Sequence, residues 1–295
     1  MDIKFIDEKY KDDMKRLGMY CFSMAQKDVD EIFDEVFNRD NAVGAFDGEK
    51  LAAMVGVLPY EIYFGGREVK MGGIGMVSTF PEYRNRHCIA DILVKSLEIM
   101  KERDQIFSML GPFSYAFYRK YGWELGFQTK QYTFDIDDFK KFKALNGGFR
   151  PISGSDIDDM CKLYAKFAVR YNGCVKRSRK NWEDRLKDQD KDRVYRYGFA
   201  DDNGHLKGYI FYKIKGEEFQ IREMVYSSIE AKHALFRFIY IHSAQVGKVV
   251  WDAPLDDNTL LLLDDPGKSV RLESGMMIRA VDVQKILELY PLNIH

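Results

Sequence analysis

One segment of the chain combines a glycine-containing strand, two arginines and the start of a helix. Gly75 to Thr79 has the pattern of a strand end, Arg84 and Arg86 follow in a short loop, and the clearest helical pattern begins at Ile89. Free backbone N–H groups and the positive dipole end of a helix attract anions. The segment therefore predicts a cradle for a phosphate-like anion. The alternative is a surface turn with two solvated arginines.

A second segment, residues 114–123, is rich in aromatic and hydroxyl-bearing side chains and reads SYAFYRKYGW. Taken alone, such a cluster favours core packing, with Tyr118 facing inward beside Phe117 and Tyr121.

A third segment, Asp28–Asp40, is acidic and helical in pattern, with two phenylalanines among its carboxylates. A cationic amine would be attracted by carboxylates and held on aromatic faces, which makes Asp28, Glu31, Phe33 and Phe37 candidate residues for binding such an amine. The alternative is a solvated acidic face of a surface helix.

Composition excludes several other classes of protein. The 295 residues carry 45 basic and 46 acidic side chains, a net charge of −1, which disfavours nucleic-acid binding. No signal peptide and no apolar stretch of about 20 residues is present, so we expect a cytoplasmic protein without membrane association. The scattered cysteines and the absence of a His-x-x-x-His pair predict free thiols and no metal site.

The elements around these segments predict an α+β fold with mixed sheets. The first half reads as a strand, helical residues 9–37, three consecutive strands, helix 89–103, strand 106–110, a short helix near 114–121 and strand 132–136. The second half again runs helix, strands, helix, strand, with helix 228–243 between strands 218–226 and 248–253. Gly147-Gly148 is a natural linker, so we predict two domains, 1–148 and 149–295.

The 75–90 segment resembles the acetyl-CoA loop of the GCN5-related N-acetyltransferases, the GNAT superfamily. Val77-x-x-x-Pro81-x-x-Arg84-x-Arg86 is similar to the version in the enhanced-intracellular-survival type of tandem-domain acetyltransferase. His87 stands where that family usually has a glycine, which lets backbone amides approach a pyrophosphate. The imidazole either obstructs the loop, points outward or binds phosphate as a cation.

The resemblance implies acetyl-CoA as cosubstrate, with its pantetheine along the strand end and its pyrophosphate on the loop. The implied cofactor-binding residues are Met76, Val77, Ser78, Thr79, Arg84, Asn85, Arg86, His87, Cys88, Ile89 and Ala90. The 114–123 segment also matches the family, and Tyr118 falls where relatives carry a tyrosine general acid. In that chemistry an amine attacks a thioester and the tyrosine assists the departing thiolate.

The second half resembles the family's central acetyltransferase-like domain, through Arg222–Val225 and Trp251–Pro254. It repeats no strand, basic loop and helix junction, so we expect no cofactor there. Relatives continue into a sterol-carrier-like domain whose terminal carboxylate is a catalytic base, and larger relatives form symmetric rings. The resemblance thus makes self-association into a homo-oligomer worth testing, while the sequence leaves the oligomeric state open. Either this chain is a short two-domain form or the third domain was removed.

These features predict an N-acetyltransferase that moves an acetyl group to a primary amine of a small molecule or peptide by direct attack on the thioester. Two alternatives remain at this point. One is a non-catalytic acyl-CoA or small-ligand binding protein, made plausible by His87, and the other is a protein-interaction scaffold.

Overall fold

The computed structural model describes residues 1–35, 40–143, 146–187 and 193–290, and its contacts divide the chain into two units. Unit 1 comprises Met1–Ile62, Glu68–Phe127 and the segment that begins at Gly275. Unit 2 comprises Tyr63–Arg67 and Gln128–Ser274.

Unit 1 is built on a seven-stranded mixed sheet. Its strands are β1 (Asp2–Phe5), β2 (Ala42–Asp47), β3 (Lys50–Phe64), β4 (Arg67–Thr79), β5 (Phe107–Leu110), β6 (Glu124–Leu125) and β14 (Met277–Ala280). Its helices are α1 (Lys11–Phe22), α2 (Gln26–Glu35), α3 (Cys88–Glu102), α4 (Tyr115–Arg119) and α8 (Val283–Leu289). The strand order is β1-β2-β3-β4-β5-β14-β6, and β4 and β5 pair in parallel.

Apolar side chains cover both faces of this first sheet. Val29 and Phe33 of α2, together with Met14 and Leu17 of α1, form one cluster, and the apolar stripe of α3 forms another with Tyr83, Tyr118 and Trp123. The stripe consists of Cys88, Ile92, Leu93, Ile99 and Met100. Because residues three and four apart share one face of a helix, this spacing fixes which side of α3 meets the sheet.

Unit 2 repeats the plan with a second seven-stranded sheet. Its strands are β7 (Gln128–Asp135), β8 (Gly148–Pro151), β9 (Tyr195–Ala200), β10 (Leu206–Lys215), β11 (Glu218–Tyr226), β12 (Lys248–Ala253) and β13 (Ser269–Ser274). Its helices are α5 (Ile157–Ala168), α6 (Arg179–Leu186) and α7 (Ile229–Tyr240). The order is β13-β7-β12-β11-β10-β9-β8, with β11 and β12 parallel.

The fold class predicted from the sequence is confirmed: two mixed sheets flanked by helices follow one another along the chain. The helical pattern predicted over 9–37 is two helices as far as residue 35, because Ser23 adopts a left-handed φ of 51° that ends α1. Strand β13 is not among the predicted elements, because its apolar alternation consists of Val270 and Leu272 alone. Both of these side chains are exposed.

The division of the chain differs from the predicted boundary at residue 148. The chain leaves the first unit after Phe127, and β7 lies between β12 and β13 in the second sheet. There Tyr132 and Phe134 pack in the second core, 6.0 Å from Trp251 and 5.3 Å from Phe139 respectively. The chain then returns to the first sheet with β14, where Met277 is fully buried. Gly148 is the first residue of β8 and Gly147 directly precedes it, so the glycine pair lies within unit 2.

Candidate active site

The site predicted in unit 1 lies where two parallel strands part. Strands β4 and β5 pair from Met71–Phe107 to Ile74–Leu110. There β5 ends, while β4 continues to Thr79. The peptide groups of β4 beyond Ile74 therefore have no neighbour in β5 at the carboxyl edge of the sheet. Such an edge is where ligands commonly bind in sheets with parallel strands.

Met76 interrupts the extended backbone of β4 within this unpaired stretch. Its φ is 50°, in the left-handed region that a non-glycine residue rarely adopts. The Ser78 hydroxyl donates a hydrogen bond to the Met76 carbonyl at 3.0 Å, which holds the local turn. The Met76 side chain packs in the cluster beneath α1 and α2, whereas Val77 packs in the cluster beneath α3. A residue with φ above zero in a strand re-aims the peptide groups beside it.

The loop between β4 and α3 presents an anion-binding concavity. A 3₁₀ turn, Pro81–Tyr83, leads into Arg84–His87, and α3 begins at Cys88. Asn85 and His87 both have left-handed φ values, 63° and 61°. Left-handed residues next to a helix start turn successive backbone N–H groups toward one point, which forms an anion nest.

Arg84 and Arg86 are exposed beside this nest. The Arg84 guanidinium lies 5.7 Å from the Tyr20 ring centroid, and that of Arg86 lies 5.4 Å from the Tyr83 centroid. Neither arginine forms an ion pair with any residue in the described ranges. Their charges are thus available to an incoming anion.

The first residues of α3 anchor the loop to the core. Cys88 is buried, and its Sγ lies 3.7 Å from the Tyr83 carbonyl oxygen and 3.9 Å from that of Arg86. Ile89 and Ala90 are half-buried. At the other end of the site, the Cys21 thiol of α1 contacts the Thr79 carbonyl oxygen at 3.7 Å. The predicted cofactor-binding residues therefore form one continuous edge of unit 1.

The conformation of His87 explains the usual preference for glycine at this position. Only a residue that tolerates a positive φ can occupy it, and after glycine the polar residues Asn, Asp and His do so most readily. The His87 side chain is exposed and makes no capping hydrogen bond to α3.

We expect His87→Gly to bind an anionic, phosphate-bearing ligand a few-fold more tightly, because glycine adopts the same φ at no steric cost and has no side chain beside the nest. Isothermal titration calorimetry with coenzyme A and acetyl-CoA measures this. Asn85→Gly, the neighbouring left-handed position, is the matched control. Weaker binding by His87→Gly would mean that the imidazole contacts the phosphates.

Tyr118 lies in the same hydrophobic cluster as Tyr83 and Cys88. It is 2% exposed, and aromatic rings surround it: Phe117 at 5.1 Å, Phe113 at 5.3 Å and Trp123 at 6.5 Å between centroids. Burial raises the pKa of Tyr118 to about 12, so the hydroxyl carries its proton throughout the physiological range. Its core position agrees with both interpretations of the sequence, since a buried ring can still carry a reactive hydroxyl.

The predicted acceptor residues on α2 do not form an aromatic surface. Phe33 is 1% exposed and belongs to the core, where its ring would lie 2.8 Å from a Cβ on Gly18. Asp28 is half-buried and Glu31 is exposed, while Phe37 lies outside the described residues. Phe33 is thus unavailable to a substrate, because the 3.6-residue period of α2 turns it inward beside Val29.

Sequence reasoning missed Phe113, which precedes α4 and is 71% exposed although its ring contacts that of Tyr118. The sequence signal for Phe113 is its position in the loop after β5, because loops at the carboxyl ends of parallel strands commonly bind ligands. The left-handed backbone of Met76 has no comparable signal in the sequence.

No group of three or more metal-binding side chains occurs among the residues described, and no helix within those ranges is long and apolar enough to cross a bilayer.

Two family profiles match the chain. An acetyltransferase (GNAT) domain profile matches residues 2–126, and a second acetyltransferase (GNAT) domain profile matches residues 173–280. The chain therefore carries two GNAT acetyltransferase domains in tandem.

Solved structures show the same architecture over nearly the whole chain. A protein from Enterococcus faecalis described as a probable N-acyltransferase superposes with a TM-score of 0.88 at 28% identity, over 98% of this chain and 75% of its own. A GCN5-related N-acetyltransferase from Anabaena variabilis gives 0.87 at 24% identity, over 99% and 76%. Eis1 from Mycobacterium abscessus gives 0.77 at 18% identity, over 97% and 75%. No match was found among curated protein sequences. The predicted resemblance to the GNAT superfamily is confirmed by both profiles, and the enhanced-intracellular-survival type of tandem-domain protein shares the fold of this chain. GNAT domains act on an acyl-CoA.

Proposed function

We propose that unit 1 is an acetyl-CoA-dependent N-acetyltransferase acting on a primary amine of a small molecule or peptide. The observation that supports this most directly is the loop at 84–87. It places two arginines, which form no ion pair with any described residue, and two left-handed residues at the start of a 15-residue helix. This helix start lies beyond the point where β4 and β5 part. Phosphate groups fit such an arrangement.

In this proposal β4 holds the pantetheine along Met76–Thr79, and Arg84 and Arg86 hold the pyrophosphate. The amine nitrogen attacks the thioester carbon, a C–N bond forms and the C–S bond breaks. Tyr118 donates its phenolic proton to the departing thiolate and regains one from solvent. The amine loses its proton to water or to a carboxylate.

The raised pKa of Tyr118 sets the size of its contribution. A thiol has an ordinary pKa of about 8.5, so a hydroxyl with a higher pKa is a weak acid toward the thiolate. Its contribution is assistance in the transition state, and the reaction proceeds without it at a reduced rate.

We propose that unit 2 binds no cofactor. Strand β11 passes into α7 through Ser227 and Ser228 alone, and the Ser228 hydroxyl accepts the hydrogen bond of the Ala231 N–H at 3.3 Å. The start of α7 is therefore occupied by the chain itself. The gap between β11 and β12 contains the Lys232–Asp257 ion pair, whose Nζ lies 5.3 Å from the Tyr226 ring and 5.6 Å from the Trp251 ring.

The proposal is tested by thiol release from acetyl-CoA over a panel of primary amines, with the acetylated amine identified by mass spectrometry. Coenzyme A binding without transfer to any amine would instead favour the non-catalytic binding protein that His87 suggested.

Tyr118→Phe is expected to lower kcat about tenfold or more and to leave the Kd of acetyl-CoA unchanged, because only proton donation is lost. The proton-donating form of Tyr118 disappears only near pH 12, so the wild-type to variant ratio of kcat should stay constant from pH 7 to about pH 10. Tyr121→Phe is the control. If the ratio of wild-type to Tyr118→Phe kcat falls about tenfold between pH 7 and pH 11, Tyr118 titrates at its ordinary pKa. If the two enzymes have equal kcat values at pH 7, Tyr118 has no role in the mechanism.

A further inference from the structure

Phe113 is an exposed aromatic side chain directly beside the proposed proton donor. It lies in the connection between β5 and α4, and 71% of it is accessible to solvent. Its ring meets that of Tyr118 edge-on, at 5.3 Å and 66°, and that of Phe117 at 5.2 Å. Because Tyr118 is buried, Phe113 is the most exposed of the aromatic side chains that contact it.

A second exposed apolar side chain adjoins the same connection. Met276 is 41% exposed, and its sulfur lies 3.5 Å from the position that a Cβ on Gly111 would occupy. The Tyr115 hydroxyl donates a hydrogen bond to the Gly275 carbonyl at 2.8 Å, which ties the start of α4 to the residue before Met276. Phe113 and Met276 are therefore held in place, and together they form an exposed apolar platform.

The segment that carries this platform offers no carboxylate to a cationic acceptor. Residues 111–123 include Arg119 and Lys120 and no carboxylate. Glu124, which follows, pairs with Arg119 at 2.9 Å, which leaves the positive charge of Lys120 on this segment. An amine with several positive charges therefore finds no counter-charge on this segment, whereas an amine with an apolar body meets aromatic and thioether surface.

We propose that Phe113 is a specificity-determining residue that contacts the carbon body of the acceptor, and that the enzyme prefers aryl-alkyl amines to polycationic amines. This inference rests on the proposed transferase function of unit 1. In the transfer the acceptor nitrogen forms the C–N bond and the coenzyme A thiolate leaves with the Tyr118 proton, so the group next to that nitrogen lies within reach of the ring that covers Tyr118.

The test compares 2-phenylethylamine, butylamine and spermidine as acceptors by kcat and KM. The wild type should have the highest kcat/KM for 2-phenylethylamine. Phe113→Ala should raise the KM for that amine about three- to tenfold, the range expected for loss of one aromatic contact, with kcat and the KM for butylamine little changed. Phe113→Leu keeps apolar surface and should retain part of the preference.

Leu261→Ala, which removes an 82% exposed apolar side chain from unit 2, is the matched control. A preference for spermidine that Phe113→Ala does not alter would overturn the inference while leaving the proposed function intact. So would a change confined to the choice among acetyl-, propionyl- and hexanoyl-CoA, which would place the acyl chain on Phe113. Absence of transfer to any amine would overturn the proposed function and the inference together.

Discussion

Replacing Arg84 and Arg86 together with alanine is expected to weaken acetyl-CoA binding at least about a hundredfold. Each exposed guanidinium lacks a carboxylate partner within the described ranges and stands at the nest that precedes α3. A hydrogen bond to a charged group contributes about 1.5–3 kcal/mol, so two of them correspond to roughly a hundred- to ten-thousandfold in Kd. Calorimetric titration at two salt concentrations measures the Kd of acetyl-CoA for both proteins. Added salt should reduce the difference in Kd between the wild type and the double variant, because salt screens the charge interaction.

The matched control is Arg170→Ala with Arg222→Ala, which removes two exposed arginines from unit 2. This control should bind acetyl-CoA like the wild type with one molecule per chain. Equal loss of affinity in both double variants would show that general charge is responsible, and loss in the control alone would move the cofactor site to unit 2.

Lys232→Met is expected to lower the stability of unit 2 strongly. The side chains of Lys232 and Asp257 are each 2% exposed, and the distance from Lys232 Nζ to Asp257 Oδ2 is 2.7 Å. Removal of the lysine leaves a buried carboxylate without its cation, which typically costs about 3–5 kcal/mol. Chemical denaturation should report this as a decrease in the free energy of unfolding.

A second substitution separates charge from packing. In Lys232→Met/Asp257→Asn no ionised group is left unpaired, and the asparagine oxygen can still accept the Thr259 N–H that Asp257 accepts at 2.8 Å. The double variant should therefore recover much of the lost stability. Lys207→Met, which breaks the half-exposed pair with Asp201, should change stability little. If the double variant is no more stable than Lys232→Met, the loss comes from packing rather than from the unpaired charge.

The sequence predicted the helices and the loop because their signals are local. The apolar spacing of α3 and the arginines before it are readable within about fifteen residues, and the resemblance to a known family placed Tyr118 in the same unit. The burial of Phe33 also has a local signal, because Phe33 lies four residues after Val29 and shares its apolar face of α2.

Other features of the site depend on tertiary structure. The left-handed φ of Met76 has no signature in the residue type, and the exposure of Phe113 follows from what packs around α4. The predicted boundary was placed at a glycine pair because glycines often mark linkers. Which sheet receives β7 and β14 is instead decided by the cores into which Tyr132 and Met277 pack.

The pairing of β14 with β5 also bears on the order in which the chain folds. Met277 lies opposite Leu110, so an interior strand of the first sheet is supplied by residues that follow all of unit 2. During synthesis unit 2 can complete its sheet once Ser274 has emerged, but unit 1 must wait with β5 and β6 unjoined until residues 277–280 arrive. Pairing over such a separation is slow to form. The amino-terminal, proposed catalytic unit therefore needs residues further along the chain than unit 2 does. Its sheet can be complete only after the chain has been synthesised as far as Ala280.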